Sequence, residues 1–86
     1  MHEKINEPIE VLVKFPSTGS GQAVQPTFFK WRQKTYRVEK INLVHQERQG
    51  NDKIYYFSVS DSANFFRLAF FTRNLGWRLE ELYYDS

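Results

Sequence analysis

The segment Phe28-Phe29-Lys30-Trp31-Arg32-Gln33-Lys34-Thr35-Tyr36-Arg37-Val38 alternates apolar and basic side chains about a short polar centre, a pattern that suits a two-faced β-hairpin. With Gln33-Lys34 as a two-residue turn, Arg32 lies opposite Thr35, Trp31 opposite Tyr36, Lys30 opposite Arg37 and Phe29 opposite Val38. One face is then apolar and the other basic. Like charges directly opposed across a strand pair are slightly destabilising, so Lys30 and Arg37 imply a well-solvated face or one that awaits an anionic partner.

The rest of the chain continues the period-two pattern. Ile9, Val11, Val13 and Phe15 share one side of a first strand. Residues 1–6 and the turn-forming stretch 16–26 are expected to be flexible. After Val38 the alternation slips, since Ile41 and Leu43 look like core while Lys40 would point inward; a β-bulge near Glu39-Lys40 restores the phase of a long, bent third strand. Gly50-Asn51-Asp52 makes a turn before a strand over 53–60. A hairpin centred on Ser62-Ala63 then sets Val59 against Phe66, Phe57 against Leu68, Tyr55 against Phe70 and Ile54 against Phe71. Asn74-Leu75-Gly76 turns the chain into a closing strand from Trp77 to about Tyr84, with Gly76 suited to a positive φ. No helix is expected. The fold class is all-β: five or six antiparallel strands in a strongly curved meander sheet or a partly open small barrel, forming one domain over residues 1–86.

Composition narrows the function classes. The chain has 86 residues and 17% aromatics, enough to build one compact core without a metal or disulfide and too little for an enclosed cleft. It has no cysteine, which removes disulfides, thiolate metal sites and cysteine nucleophiles and leans toward a reducing, cytoplasmic location. Charges among the first residues interrupt any signal-peptide core, and no apolar run approaches a membrane span. Net charge is +2, unevenly placed. Residues 28–53 hold seven Lys/Arg against three acids, a net +4, and the remainder five against seven, a net −2.

Catalytic chemistry finds no constellation. Ser17-Thr18-Gly19-Ser20-Gly21 has neither the Gly-Lys-Ser/Thr nor the following helix of a phosphate loop. His2 lies near a terminus and His45 at a strand end, without a second ligand at metal spacing. Glu80 and Glu81 are neighbours on a strand and face opposite ways unless a bulge intervenes. Ser58 and Ser60 share a face with no base placed to activate them. Neither a cofactor nor a metal is expected.

Phe29, Trp31, Tyr36, Val38, Tyr55, Phe57, Val59, Phe66, Leu68, Phe70, Trp77 and Leu79 read as core. By the same pairing Phe28, Ile54, Tyr56, Phe65 and Phe71 fall on the opposite face, either covered by sheet closure or open to a partner chain or stacked bases.

Glu7-Pro8-Ile9-Glu10-Val11, then Phe29-x-Trp31-Arg32-x-x-x-Tyr36-Arg37-Val38, then Trp77-x-Leu79 with Tyr84-Asp85, resemble, over nearly the whole chain, an uncharacterised family of short bacterial domains. Members of that family are often encoded near, or joined to, a Y-family polymerase-like accessory protein of mutagenic DNA repair. The resemblance implies a role close to DNA and no catalytic residue.

These readings converge on a non-enzymatic binding or accessory module. Single-stranded DNA or RNA is the expected partner, with Lys30, Arg32 and Arg37 contacting phosphates, Lys34 at the turn and Phe28 stacking. The rival is a protein-interaction or homo-oligomerisation domain that uses Ile54, Tyr56, Phe65 and Phe71 or an unpaired strand edge.

Overall fold

The computed structural model describes residues 2–15 and 24–84. Among them are seven antiparallel strands and no helix: β1 (His2–Lys14), β2 (Gln25–Trp31), β3 (Lys34–Arg37), β4 (Lys40–Gln49), β5 (Asp52–Ser60), β6 (Asn64–Phe71) and β7 (Gly76–Tyr84). They form one sheet in the order β3-β2-β1-β7-β6-β5-β4. The all-β antiparallel class is as expected, but the strands number seven rather than five or six, and the sheet is open. It is also no simple meander, because β1 lies between β2 and β7. None of the described residues belongs to a helix long and apolar enough to cross a membrane.

The additional strand arises at Val38-Glu39, where the expected long third strand divides. Successive N–H groups of an extended chain point to opposite sides. Val38 N donates to Thr27 O of β2 at 2.8 Å, and Glu39 N donates to Ser60 O of β5 at 2.9 Å. The chain thus leaves one edge of the sheet and joins the other within two residues. The sheet must roll for its edges to meet there, and no β3–β4 ladder closes it.

Inside the roll, Phe29, Trp31, Phe57, Val59, Phe66, Leu68, Phe70 and Leu79 form the buried cluster, and Tyr36, Val38, Tyr55 and Trp77 pack against it. The set from Phe29 to Leu79 that reads as core is therefore there, whereas Leu43, which the alternation also placed in the core, is not. Phe66 joins the two sides of the roll, meeting Phe29 edge-on at 5.0 Å and Tyr36 at 5.4 Å between ring centroids. The β5–β6 register matches the expected one, including Ile54 opposite Phe71. Asp61 Oδ1 holds that turn by accepting from Ala63 N and Asn64 N at 2.8 and 2.7 Å.

Several local expectations are corrected. Residues 2–6 are not a loose terminus, since His2 pairs with Tyr83, Glu3 with Leu82 and Lys4 with Glu81. Of the loop expected at 16–26, residues 16–23 lie outside the described residues, whereas Gln25 and Pro26 pair with Lys14 and Val13. The β4 bulge falls at Asn42 rather than Glu39-Lys40. Ile41 and Val44 consequently turn inward, and Leu43 is 62% exposed. In the β6–β7 turn the positive φ belongs to Leu75 at 58°. Gly76 instead lies close to the Asn74 side chain, which would have to shift to admit a Cβ 2.9 Å from its Oδ1.

The β2–β3 hairpin turns one residue earlier than its alternation suggests. Its turn is Arg32-Gln33, with φ of 50° and 65°, the doubly left-handed geometry that matches the twist of two-residue hairpins. The pairs are Phe28 with Arg37, Phe29 with Tyr36, Lys30 with Thr35 and Trp31 with Lys34. This register stacks the Phe29 and Tyr36 rings at 5.1 Å and removes the expected opposition of Lys30 and Arg37. Both turn positions are strained for side chains other than glycine. Gln33→Gly is expected to raise stability by roughly 0.5–1 kcal/mol, about 2–8 °C in melting midpoint. An unchanged or lower midpoint in calorimetry would show that the turn carries no such strain.

Candidate functional site

On the outward face of β1, β2 and β3, Phe28 is 38% exposed, directly opposite Arg37 on β3 and Leu12 on β1. Lys30 lies two residues along the same face, between Glu10 on β1 and Thr35 on β3. Among the described residues, neither Lys30 nor Arg37 takes part in an ion pair within 4 Å. The structure therefore brings Phe28, Lys30 and Arg37 together.

Arg32 and Lys34 stand apart from them. Arg32 Nη2 donates to Glu7 Oε2 at 2.8 Å, and its guanidinium lies over the Trp31 ring at 4.6 Å. Lys34 pairs with Trp31, on the inward side of the hairpin, with Nζ 5.1 Å from the Tyr36 ring centroid. Both cations clamp the hairpin rather than extend its basic face.

Glu7 is the centre of that clamp, and its role was hidden in the chain. It shares the period-two phase of Ile9, Val11 and Val13 and so falls on the inward side, where a carboxylate needs donors. Trp31 Nε1 supplies one at 2.8 Å and Arg32 the other. The Arg32 hydrogen bond, then that from Trp31, hold the Glu7 carboxyl below its usual 4.5. A lowered folded value stabilises above the unfolded value and loses that contribution as pH falls through the folded one. Glu7→Gln is thus expected to lower the melting midpoint at neutral pH and to flatten the loss of stability on acidification below 4.5. Parallel midpoint-against-pH curves for variant and parent would exclude this role.

The second polar assembly lies on the outward face of β5, β6 and β7. Arg67 pairs with Glu81 and the next residue, Leu68, pairs with Leu79, leaving Glu80 as an extra residue. This is the intervening bulge that adjacent carboxylates need to converge. Arg67 Nε stands 3.4 Å from Glu80 Oε1 and Nη1 stands 4.0 Å from Glu81 Oε2, while the guanidinium covers the Tyr56 ring at 4.6 Å. Burial pushes the Glu80 carboxyl up, against the pull of Arg67. Burial also acts upward on Glu81, but hydrogen bonds from His2 and Tyr83 outweigh it and hold that carboxyl low. His2 is anchored here: its ring stacks on Tyr83 at 4.5 Å and Nε2 meets Glu81 at 2.5 Å.

Of the residues expected to form an apolar contact face, Ile54 is 6% exposed, Tyr56 and Phe71 are half-buried, and Phe65 is 58% exposed. Phe65 instead neighbours Tyr83, 40% exposed, across β6–β7. A separate apolar recess of about 700 Å³ lies beside the core between Val11, Val13, Val24, Phe70 and Trp77, with Phe15 and Leu75 exposed at its rim. Among the described residues no cluster of His, Cys, Asp or Glu is placed to hold a metal ion.

No curated protein and no solved structure matches this chain. A family model described as a domain of unknown function, DUF6504, matches residues 1–86, so the chain, with the open antiparallel sheet described above, belongs to that family.

Proposed function

We propose that the domain is a non-enzymatic binding module for single-stranded nucleic acid, docking phosphates on Lys30 and Arg37 and stacking a base on Phe28. The observation that carries this reading is the outward placement of Phe28 directly opposite Arg37, with Lys30 on the same face. An exposed ring beside two cations offers a sequence-tolerant stacking surface and counter-charge for the backbone. A bacterial accessory role close to DNA, as the family resemblance implies, accords with it, as does the cytoplasmic location toward which the absence of cysteine leans.

Anisotropy titrations with labelled single-stranded DNA and RNA at two salt concentrations test the proposal. With two cations engaged, log affinity should fall against log salt with a slope of about −1.4, from roughly −0.7 per phosphate. Phe28→Ala should weaken binding by roughly 1–3 kcal/mol with little change in slope. Absence of binding even at low salt, where screening is weakest, would remove the reading.

A second reading, pairing with another protein or a second copy, is favoured by the sheet's two open edges, β3 and β4. Light scattering after size exclusion distinguishes it: a dimer without nucleic acid supports edge pairing, and a monomer leaves the first reading in front.

A further inference from the structure

A groove of about 460 Å³ on the outward face runs between β4 and β7, lined by Asn42, Ser58, Phe65, Arg67 and Tyr83. Its exposed walls are the aromatic residues Phe65 and Tyr83, and Val59 and Phe66 line it together with the polar Asn42, Ser58 and Arg67. Phe65 and Tyr83 are cross-strand neighbours, and the His2 ring backs Tyr83 at an interplanar angle of 8°. Arg67 is balanced in charge by Glu80 and Glu81, yet its buried Nε, though 3.4 Å from Glu80 Oε1, makes no well-aligned hydrogen bond among the described residues. Asn42, which lines the groove, donates from Nδ2 to Ser60 Oγ at 3.2 Å, and its amide oxygen is a further acceptor on that residue.

Those features select a class of ligand. A phosphate would meet a guanidinium already paired with carboxylates, whereas an uncharged planar ring needs no further counter-charge. Phe65 and Tyr83 offer such a ring stacking surface, and Arg67, Ser58 and Asn42 offer its edge both donors and acceptors. We infer that this groove is a nucleobase subsite, separate from the Phe28 hairpin and engaged by the same single strand. His2 and Leu12, which mark the two sites on β1, are ten residues apart, roughly 30 Å along an extended strand. This inference rests on the single-strand reading for its ligand, but its geometry is independent of Lys30 and Arg37.

Two experiments separate the subsite from the hairpin. In nuclear magnetic resonance titrations, thymidine and the other nucleosides, which carry no phosphate, should shift signals of Ser58, Phe65, Tyr83 and the Arg67 Nε–H group. The shifts should persist in the Lys30→Gln/Arg37→Gln variant and vanish in Tyr83→Ala. Phe65→Ala is the second variant, because its ring is exposed and its loss should leave the melting midpoint near the parent's.

Anisotropy should then compare an oligothymidylate with an abasic strand of equal length and charge. Phe65→Ala and Tyr83→Ala should each weaken the oligothymidylate roughly five- to hundredfold and leave the abasic strand unaffected. If neither variant changes oligothymidylate affinity, or nucleosides shift no groove residue, the inference is overturned. If the groove variants act while the hairpin variant has no effect, the hairpin reading fails and the subsite stands. If nucleosides occupy the groove but no strand binds, the groove takes a free planar ring and the inference of a shared strand is overturned.

Discussion

Phe66→Ala is expected to destabilise the domain by about 3–5 kcal/mol, the range for removing a buried aromatic ring. Phe66 is 2% exposed and touches Phe29 and Tyr36, so it is the contact through which β6 holds the β2–β3 hairpin across the roll. A loss of that size is a large part of the total stability of about 5–15 kcal/mol typical of domains. Its neighbour Phe65 is 58% exposed, and Phe65→Ala should change stability by less than about 1 kcal/mol. Urea denaturation of the two variants measures the contrast. Equal transition midpoints would mean that the two sides of the roll do not depend on this packing.

The second large effect concerns binding. Lys30→Gln with Arg37→Gln should reduce affinity for single-stranded DNA roughly tenfold or more at low salt and bring the salt slope close to zero. Neutral replacements are the right choice because Lys30 faces Glu10 on β1, so a glutamate there would oppose a like charge and confuse binding with stability. Both side chains are exposed, and the melting midpoint should remain near that of the parent. Unchanged affinity and slope in the titration would detach the hairpin face from nucleic acid altogether.

Particular residues show why some of this was legible in the chain. Ile54, Tyr55, Phe57 and Val59 meet Phe71, Phe70, Leu68 and Phe66 as expected because two strands of matching phase flank a short turn closed by Asp61. The β2–β3 register was not legible in the same way. Gln33-Lys34 and Arg32-Gln33 are both polar and lack glycine, and the choice between them depends on Phe29 stacking with Tyr36 and on Glu7 holding Trp31 and Arg32 from a different strand. The groove was hidden for a similar reason. Phe65 stood out as surplus apolar surface, but Tyr83, His2 and Arg67 join it only through the β1–β7 pairing and the bulge at Glu80.

Alternation, turn residues and the absence of cysteine by themselves determined an all-β chain with an aromatic core and no thiolate chemistry, because period-two burial is a local property of extended backbone. Tertiary structure alone decided that β1 pairs with β7, that the third strand divides at Val38-Glu39, and that Arg32 and Lys34 leave the basic face. Each of those outcomes is set by contacts between distant segments: backbone donors that must find acceptors on both edges of the roll, and a carboxylate at Glu7 that must find donors on the hairpin.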